Sequence, residues 1–240
     1  MVVATLPTKA RRKSAVVRKT YADTIADILR TMPPDDAALF HNVSWELYDR
    51  LCHIRDAERS GVHLTFDCGR LEIMAVQYPH ESGKVRTSRI VEAFCIAFRI
   101  PIRGTGNLTV RNEVLEKGFE PDSCYYIKNV SKALQIRELD FSKDPPPDLA
   151  IEVESSRKLI DRIPLYAAMG VPEIWRVTGT KIEFLLLISK KKGYESASNS
   201  PTFPKVPLAQ IERFLVRSER IDETTLTTEI LDWVAKEVKS

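Results

Sequence analysis

Apolar and polar positions change period along this chain, and the changes mark out its elements. Helical spacing comes first. "YADTIADILRTM" (21–32) predicts a short helix that "PPDD" breaks. "SWELYDRLCHIRDAE" (44–58) sets Trp45, Leu47, Leu51 and Ile54 near helical spacing, with Ser44 as N-cap. The period then drops to two. "GVHLTFDCGRLEIMAV" alternates around Asp67-Cys68-Gly69 and predicts a hairpin. In "SGKVRTSRIVEAFCIAFRI", Val91, Phe94, Cys95 and Phe98 form an apolar helical stripe.

"GNLTV" and "DSCYYI" predict short strands, separated by a turn-like "RNEVLEKGFEP". In "DSCYYI" the adjacent Tyr125 and Tyr126 imply that one ring faces away from the core. A stiff connector, "ELDFSKDPPP", leads into the strand "DLAIEVES". "DRIPLYAAMG" is a short helix, with Pro164 tolerable only in its first turn and Gly170 as its stop. "EIWRV" and "KIEFLLLI" make a hairpin across "TGT", and helical patterns cover about 207–217 and 223–238. This order predicts a mixed α/β domain with a central sheet flanked by helices.

Composition narrows the picture. The 240 residues are 43% hydrophobic and 29% charged, enough for one sizeable core. Residues 21–240 are expected to form a single domain with helical appendages. Residues 1–20 hold Lys9, Arg11, Arg12, Lys13, Arg18 and Lys19 and no acid, which predicts a disordered basic arm. The longest apolar run, "FLLLI", is far too short to span a bilayer, so no membrane association is expected. The four cysteines are widely spaced and fit no zinc pattern, in keeping with a reducing cytoplasm.

The chemistry concentrates in "DPPPDLAIEVESS". In a strand, Leu149, Ile151 and Val153 point one way, and Asp148, Ala150, Glu152 and Glu154 the other. Carboxylates two residues apart lie about 7 Å from each other and repel unless something offsets them. A solvated edge would do so. The continuously apolar opposite face argues instead for an interior strand, and Lys158 and Arg162 follow closely. Acids beside cations on a core strand suit a hard divalent ion. A second acid, Asp122, follows a proline at the head of the preceding strand.

Pro121-Asp122, "PPPDLAIEVESS" and "LIDRIPLYAAMGVPEIWRV" together resemble the Uma-type restriction endonuclease family of the PD-(D/E)xK nuclease superfamily. "GRLEIM" followed by "PHESGK" is similar to the same family's N-terminal hairpin and helix entry. The resemblance covers roughly residues 40–235. It implies a restriction-endonuclease-like α/β fold and cleavage of DNA phosphodiesters dependent on Mg²⁺ or Mn²⁺. It further implies that Asp122 and Glu152 are metal ligands, with Glu72 or Glu81 as the additional upstream acid. The residue two past the acid, lysine in the general signature, is Glu154 here. Lys158 is the nearest substitute, and Arg162 could serve only as a fixed charge, its pKa being too high for base work.

Glu154 and Asp148 are expected to support the ion or its waters, and His80 is a weaker candidate ligand or base. "KKK" at 190–192 is a hairpin tip that could touch backbone phosphates. A homodimer would suit a cut through both strands of a twofold duplex. The primary expectation is therefore a metal-dependent DNA endonuclease. The alternative is a nuclease-fold module that has lost catalysis and binds DNA or a protein partner. A glycoside hydrolase using an acid pair is a third idea, unsupported by the resemblance.

Overall fold

The structure is a computed structural model that describes residues 20–33, 36–58, 61–75, 78–106, 109–136, 143–154 and 158–237. Nearly all of the basic arm therefore lies outside the described residues. The elements run α1 (Tyr21–Thr31), β1 (Ala37–Phe40), α2 (Trp45–Glu58), β2 (Val62–Asp67), β3 (Arg70–Ala75) and α3 (Tyr78–Phe98). Then come β4 (Arg103–Gly104), β5 (Val110–Asn112), β6 (Lys117–Phe119), β7 (Ser123–Tyr126), α4 (Val130–Ala133) and β8 (Leu149–Val153). The chain closes with α5 (Ile163–Met169), β9 (Glu173–Thr178), β10 (Lys181–Ser189), β11 (Gly193–Ala197), α6 (Leu208–Ser218) and α7 (Glu223–Glu237).

Local chemistry sets several boundaries. A reciprocal capping box between Thr20 and Asp23 starts α1. Ser44 caps α2 by accepting the Leu47 amide at 3.3 Å. Pro164 sits in the first turn of α5, and Gly170 ends that helix at φ 82°, donating to the carbonyls of Tyr166 and Ala167.

The strands form two sheets, where one central sheet was expected. The first is antiparallel, in the order β1-β3-β2-β6-β5. The second is mixed, in the order β11-β10-β9-β8-β7-β4, with β8 and β9 its parallel pair joined through α5. The "RNEVLEKGFEP" stretch, read as a turn, is the β5–β6 hairpin that extends the first sheet. Its strands are three residues each, too short for a periodicity signal.

On one face of the mixed sheet, Leu149, Ile151, Val153, Trp175 and Phe184 pack against α3, α6 and α7. On the other, Ala150, Ile174 and Leu185 pack with Leu165, Tyr166 and Met169 of α5 and with Phe119 of β6. Both faces are thus covered, which is why Tyr125 and Tyr126 are both buried, against expectation. Tyr125 donates to Glu92 at 3.3 Å, and Tyr126 to the Pro145 carbonyl at 2.9 Å. A second apolar cluster joins α1 and α2 to β2 and β3.

The layers meet tightly at Gly118, where a Cβ would come within 2.6 Å of Tyr48 Cε1. Tyr48 is fully buried and stacked on Phe66 at 4.8 Å between ring centroids. Gly118→Ala must push that ring aside and is expected to destabilise the protein by about 1–3 kcal/mol or more. Urea unfolding measures this; an unchanged midpoint would show that Tyr48 has room to move.

Candidate active site

Two strands bring the acids together. β7 and β8 are antiparallel, with Ser123 opposite Ile151, so Asp122 falls opposite Glu152. The row continues across the mixed sheet: Glu152 pairs with Arg176 on β9, and Arg176 with Glu183 on β10. Residues 30 apart in sequence thereby share one face at the end of two core strands. Asp122 is fixed there by accepting the Val153 amide on Oδ2 at 2.7 Å.

Glu152 is buried, and its two oxygens have different partners. Oε2 accepts from Tyr166 OH at 2.6 Å. Oε1 takes the ammonium of Lys158 and faces Arg162 Nη1 at 3.5 Å. Lys158 also donates to the Val153 carbonyl at 2.6 Å. Burial, with the Asp122 carboxylate beside it, pushes the Glu152 carboxyl above its ordinary range; Lys158 and Arg162 pull it back only in part. Burial also holds the Tyr166 phenol well above its usual value, so it remains a hydrogen-bond donor.

Arg162, at the head of α5, is 1% exposed. Its Nη1 donates to the Glu120 carbonyl at 3.1 Å and lies 3.7 Å from Asp122 Oδ1, while Nε reaches Thr65 Oγ1 at 3.3 Å. Nη2 has no hydrogen-bond partner among the described residues. One guanidinium nitrogen therefore stands between Asp122 and Glu152, at separations longer than charge-assisted hydrogen bonds.

The other expected residues separate. Asp148 lies at the far end of the strand and accepts from the amides of Ile127 (2.7 Å) and Asn129 (3.1 Å) and from Asn129 Nδ2 (3.0 Å). Those bonds tie β8 to the turn after β7, away from the expected role beside the ion. Glu154, at the signature lysine position, is exposed and lines the mouth of a cleft of about 370 Å³. Glu152, Lys158, Arg162 and Arg176 line the same cleft.

Glu72 on β3 is fully buried, and its Oε2 accepts the amides of Leu159 and of Ile160, the latter at 2.9 Å. The side chains of His80 and Glu81 lie outside the described residues. Sequence reading missed Tyr166, taken as core only, and Arg176. Tyr166 stands four residues after Arg162, which puts both on one helical face; that spacing was the available signal.

The donor set was expected to hold Mg²⁺ or Mn²⁺. Two carboxylate oxygens, Asp122 Oδ1 just before β7 and Glu152 Oε1 on β8, face a common cationic atom, here Arg162 Nη1. Hard oxygen donors around a positive centre suit either ion. Among the described residues, no group of three or more His, Cys, Asp or Glu side chains is placed to hold a metal. The fit is therefore to a pair of carboxylates, the number Mg²⁺ commonly takes when substrate and water complete its shell.

A mixed α/β core with buried acids where its strands end is the class of a restriction-endonuclease-like protein. A family model, Uma2, described as "Putative restriction endonuclease", matches residues 45–213. The chain belongs to that family. A crystal structure described as a "putative nuclease belonging to DUF820", from Anabaena variabilis, aligns with a TM-score of 0.43 at 15% identity. That alignment covers 63% of this chain and 90% of the other. No curated relative matches the sequence. No helix among the described residues is long and apolar enough to cross a membrane.

Proposed function

We propose that this protein is a divalent-metal-dependent nuclease that hydrolyses phosphodiester bonds of DNA. The observation carrying the reading is that Lys158, from the segment after the strand, lies on Glu152 beside Asp122. Acid, acid and lysine are thereby reunited although the signature lysine position holds Glu154. Asp122 and Glu152 would hold the ion. When bound, it would neutralise charge on the phosphate and make water a better nucleophile.

The chain's own groups supply the rest. Tyr166 and Lys158 fix the rotamer of Glu152, so its carboxylate needs little reorganisation. The Lys158 ammonium is a donor for the attacking water and for the charge that grows on the phosphoryl oxygens. Arg162 offsets the buried acids, since two carboxylates gathered without a cation would not both ionise. Arg176, in register with Glu152 on the cleft wall, can meet a neighbouring phosphate of the substrate strand.

A second reading has its own support. Arg162 Nη1 already stands between Asp122 and Glu152, and Glu154 occupies the signature lysine position. A module that binds DNA or a protein partner without cutting would look like this. The test is supercoiled DNA incubated with the full chain in Mg²⁺, Mn²⁺ or EDTA. Nicking in either metal that EDTA abolishes is the expected result. A salt-sensitive gel shift without nicking in any metal would replace the enzyme with the binding module.

A further inference from the structure

We infer that Glu72 is the positioning residue for Lys158, acting through the backbone of the segment that carries the lysine; this rests on the nuclease reading above. Lys158 lies five residues beyond the end of β8 at Val153, so that strand does not set its place. The segment is held instead by the other sheet. Glu72 Oε2 accepts two consecutive amides, Leu159 and Ile160, directly after the lysine. The strand bearing Glu72 is paired on both edges, with β1 and β2, which makes it a rigid support.

The anchor is double. Thr65 is the cross-strand partner of Glu72, and its hydroxyl accepts from Arg162 Nε at 3.3 Å. One residue pair of the antiparallel sheet thus holds both cations of the 158–162 segment against the acids of the mixed sheet. A charged acceptor holds backbone amides more strongly than a neutral one, at the expense of desolvation. Glu72 Oε1 is buried with no hydrogen-bond partner among the described residues, so that expense is substantial. The catalytic return is precision, because displacing a reacting group by about 1 Å can lower rates about 10²-fold. Glu72 was expected to bind the metal; its bonded oxygen is committed to the loop.

Three variants of the full-length protein test this: Glu72→Gln, Glu72→Leu and Leu159→Pro. Gln keeps an acceptor oxygen without the charge. Leu keeps bulk and removes the acceptor. Leu159→Pro deletes one of the two N–H donors from an exposed position, so the clamp remains testable if Glu72→Leu fails to fold.

The first readout is acetylation of Lys158 by an activated acetyl ester, followed by peptide mass spectrometry. Glu72→Leu and Leu159→Pro should raise Lys158 labelling on the order of tenfold, and Glu72→Gln, which keeps an acceptor without the charge, should raise it clearly less. The second is DNA cleavage, where the same two variants should lower kcat with KM nearly unchanged and Gln should restore kcat. Wild-type labelling in Leu159→Pro would overturn the inference. So would a Glu72→Gln variant that loses Mn²⁺ binding, measured calorimetrically, since that is the behaviour of a ligand. Labelling needs no turnover. If the labelling pattern holds and wild type never cuts DNA, the clamp stands and the nuclease reading falls.

Discussion

Glu152→Gln is expected to reduce metal-dependent DNA cleavage to the level of the metal-free protein and to remove divalent-ion binding. The substitution keeps the side chain's size and an oxygen for the Tyr166 hydroxyl, so the loss would come from charge. Glu152→Ala should be equally inactive but less stable, because it leaves Lys158 without its carboxylate in a site where both side chains are nearly buried. Breaking such a buried pair typically destabilises by about 3–5 kcal/mol.

Wild type and Glu152→Gln also separate in their pH dependence. Burial raises the Glu152 carboxyl above its ordinary value of 4.5. A carboxyl raised in the folded state contributes stability that is fully present below that ordinary value and is lost as pH rises through the folded one. Wild type should therefore lose stability on going up through this window, and Glu152→Gln should flatten that part of the curve. Urea unfolding at a series of pH values, with metal titrations alongside, checks both statements. Retained cleavage in Glu152→Gln would remove Glu152 from the centre of the site.

Lys158→Met is the second large effect. The methionine keeps the length of the stem and deletes the ammonium that reaches Glu152 and the Val153 carbonyl. Loss of a preorganised donor of this kind lowers kcat about 10²–10³-fold. DNA affinity should change little, because one partly screened charge among many phosphate contacts is a small share of binding. Metal binding should persist or strengthen, since Lys158 no longer competes for Oε1. Placing lysine at the signature position, Glu154→Lys in the Lys158→Met background, should recover part of the rate, because positions 152 and 154 share a strand face. Full activity in Lys158→Met would show that the lysine is only a counter-ion to Glu152.

Much of the architecture was legible because it is local. Alternation marked β2, β3 and β8, and Asp67-Cys68-Gly69 marked the turn between the first two. Pro164 and Gly170 bracketed α5, since their backbone restrictions act within one helical turn. The acidic face of β8 was equally readable, as was its interior place between β7 and β9.

What alternation could not convey is which strands pair and in what register. Division into two sheets depends on long-range contacts, such as Phe66 with Gly118, that have no signature in either segment. Asp148 and Glu152 looked equivalent on one strand face, yet they stand at opposite ends of β8. One caps a turn by satisfying the amides of Ile127 and Asn129; the other meets Asp122.

The sequence by itself determined the acids, the apolar strand that carries them and the helix that follows, because residue type and period act over a few positions. Only the tertiary structure decided that Lys158 reaches Glu152, that Arg162 stands between two carboxylates, and that Glu72 holds the loop of the opposite sheet. Those are contacts between segments up to 88 residues apart, and their geometry exists only once register and packing are set.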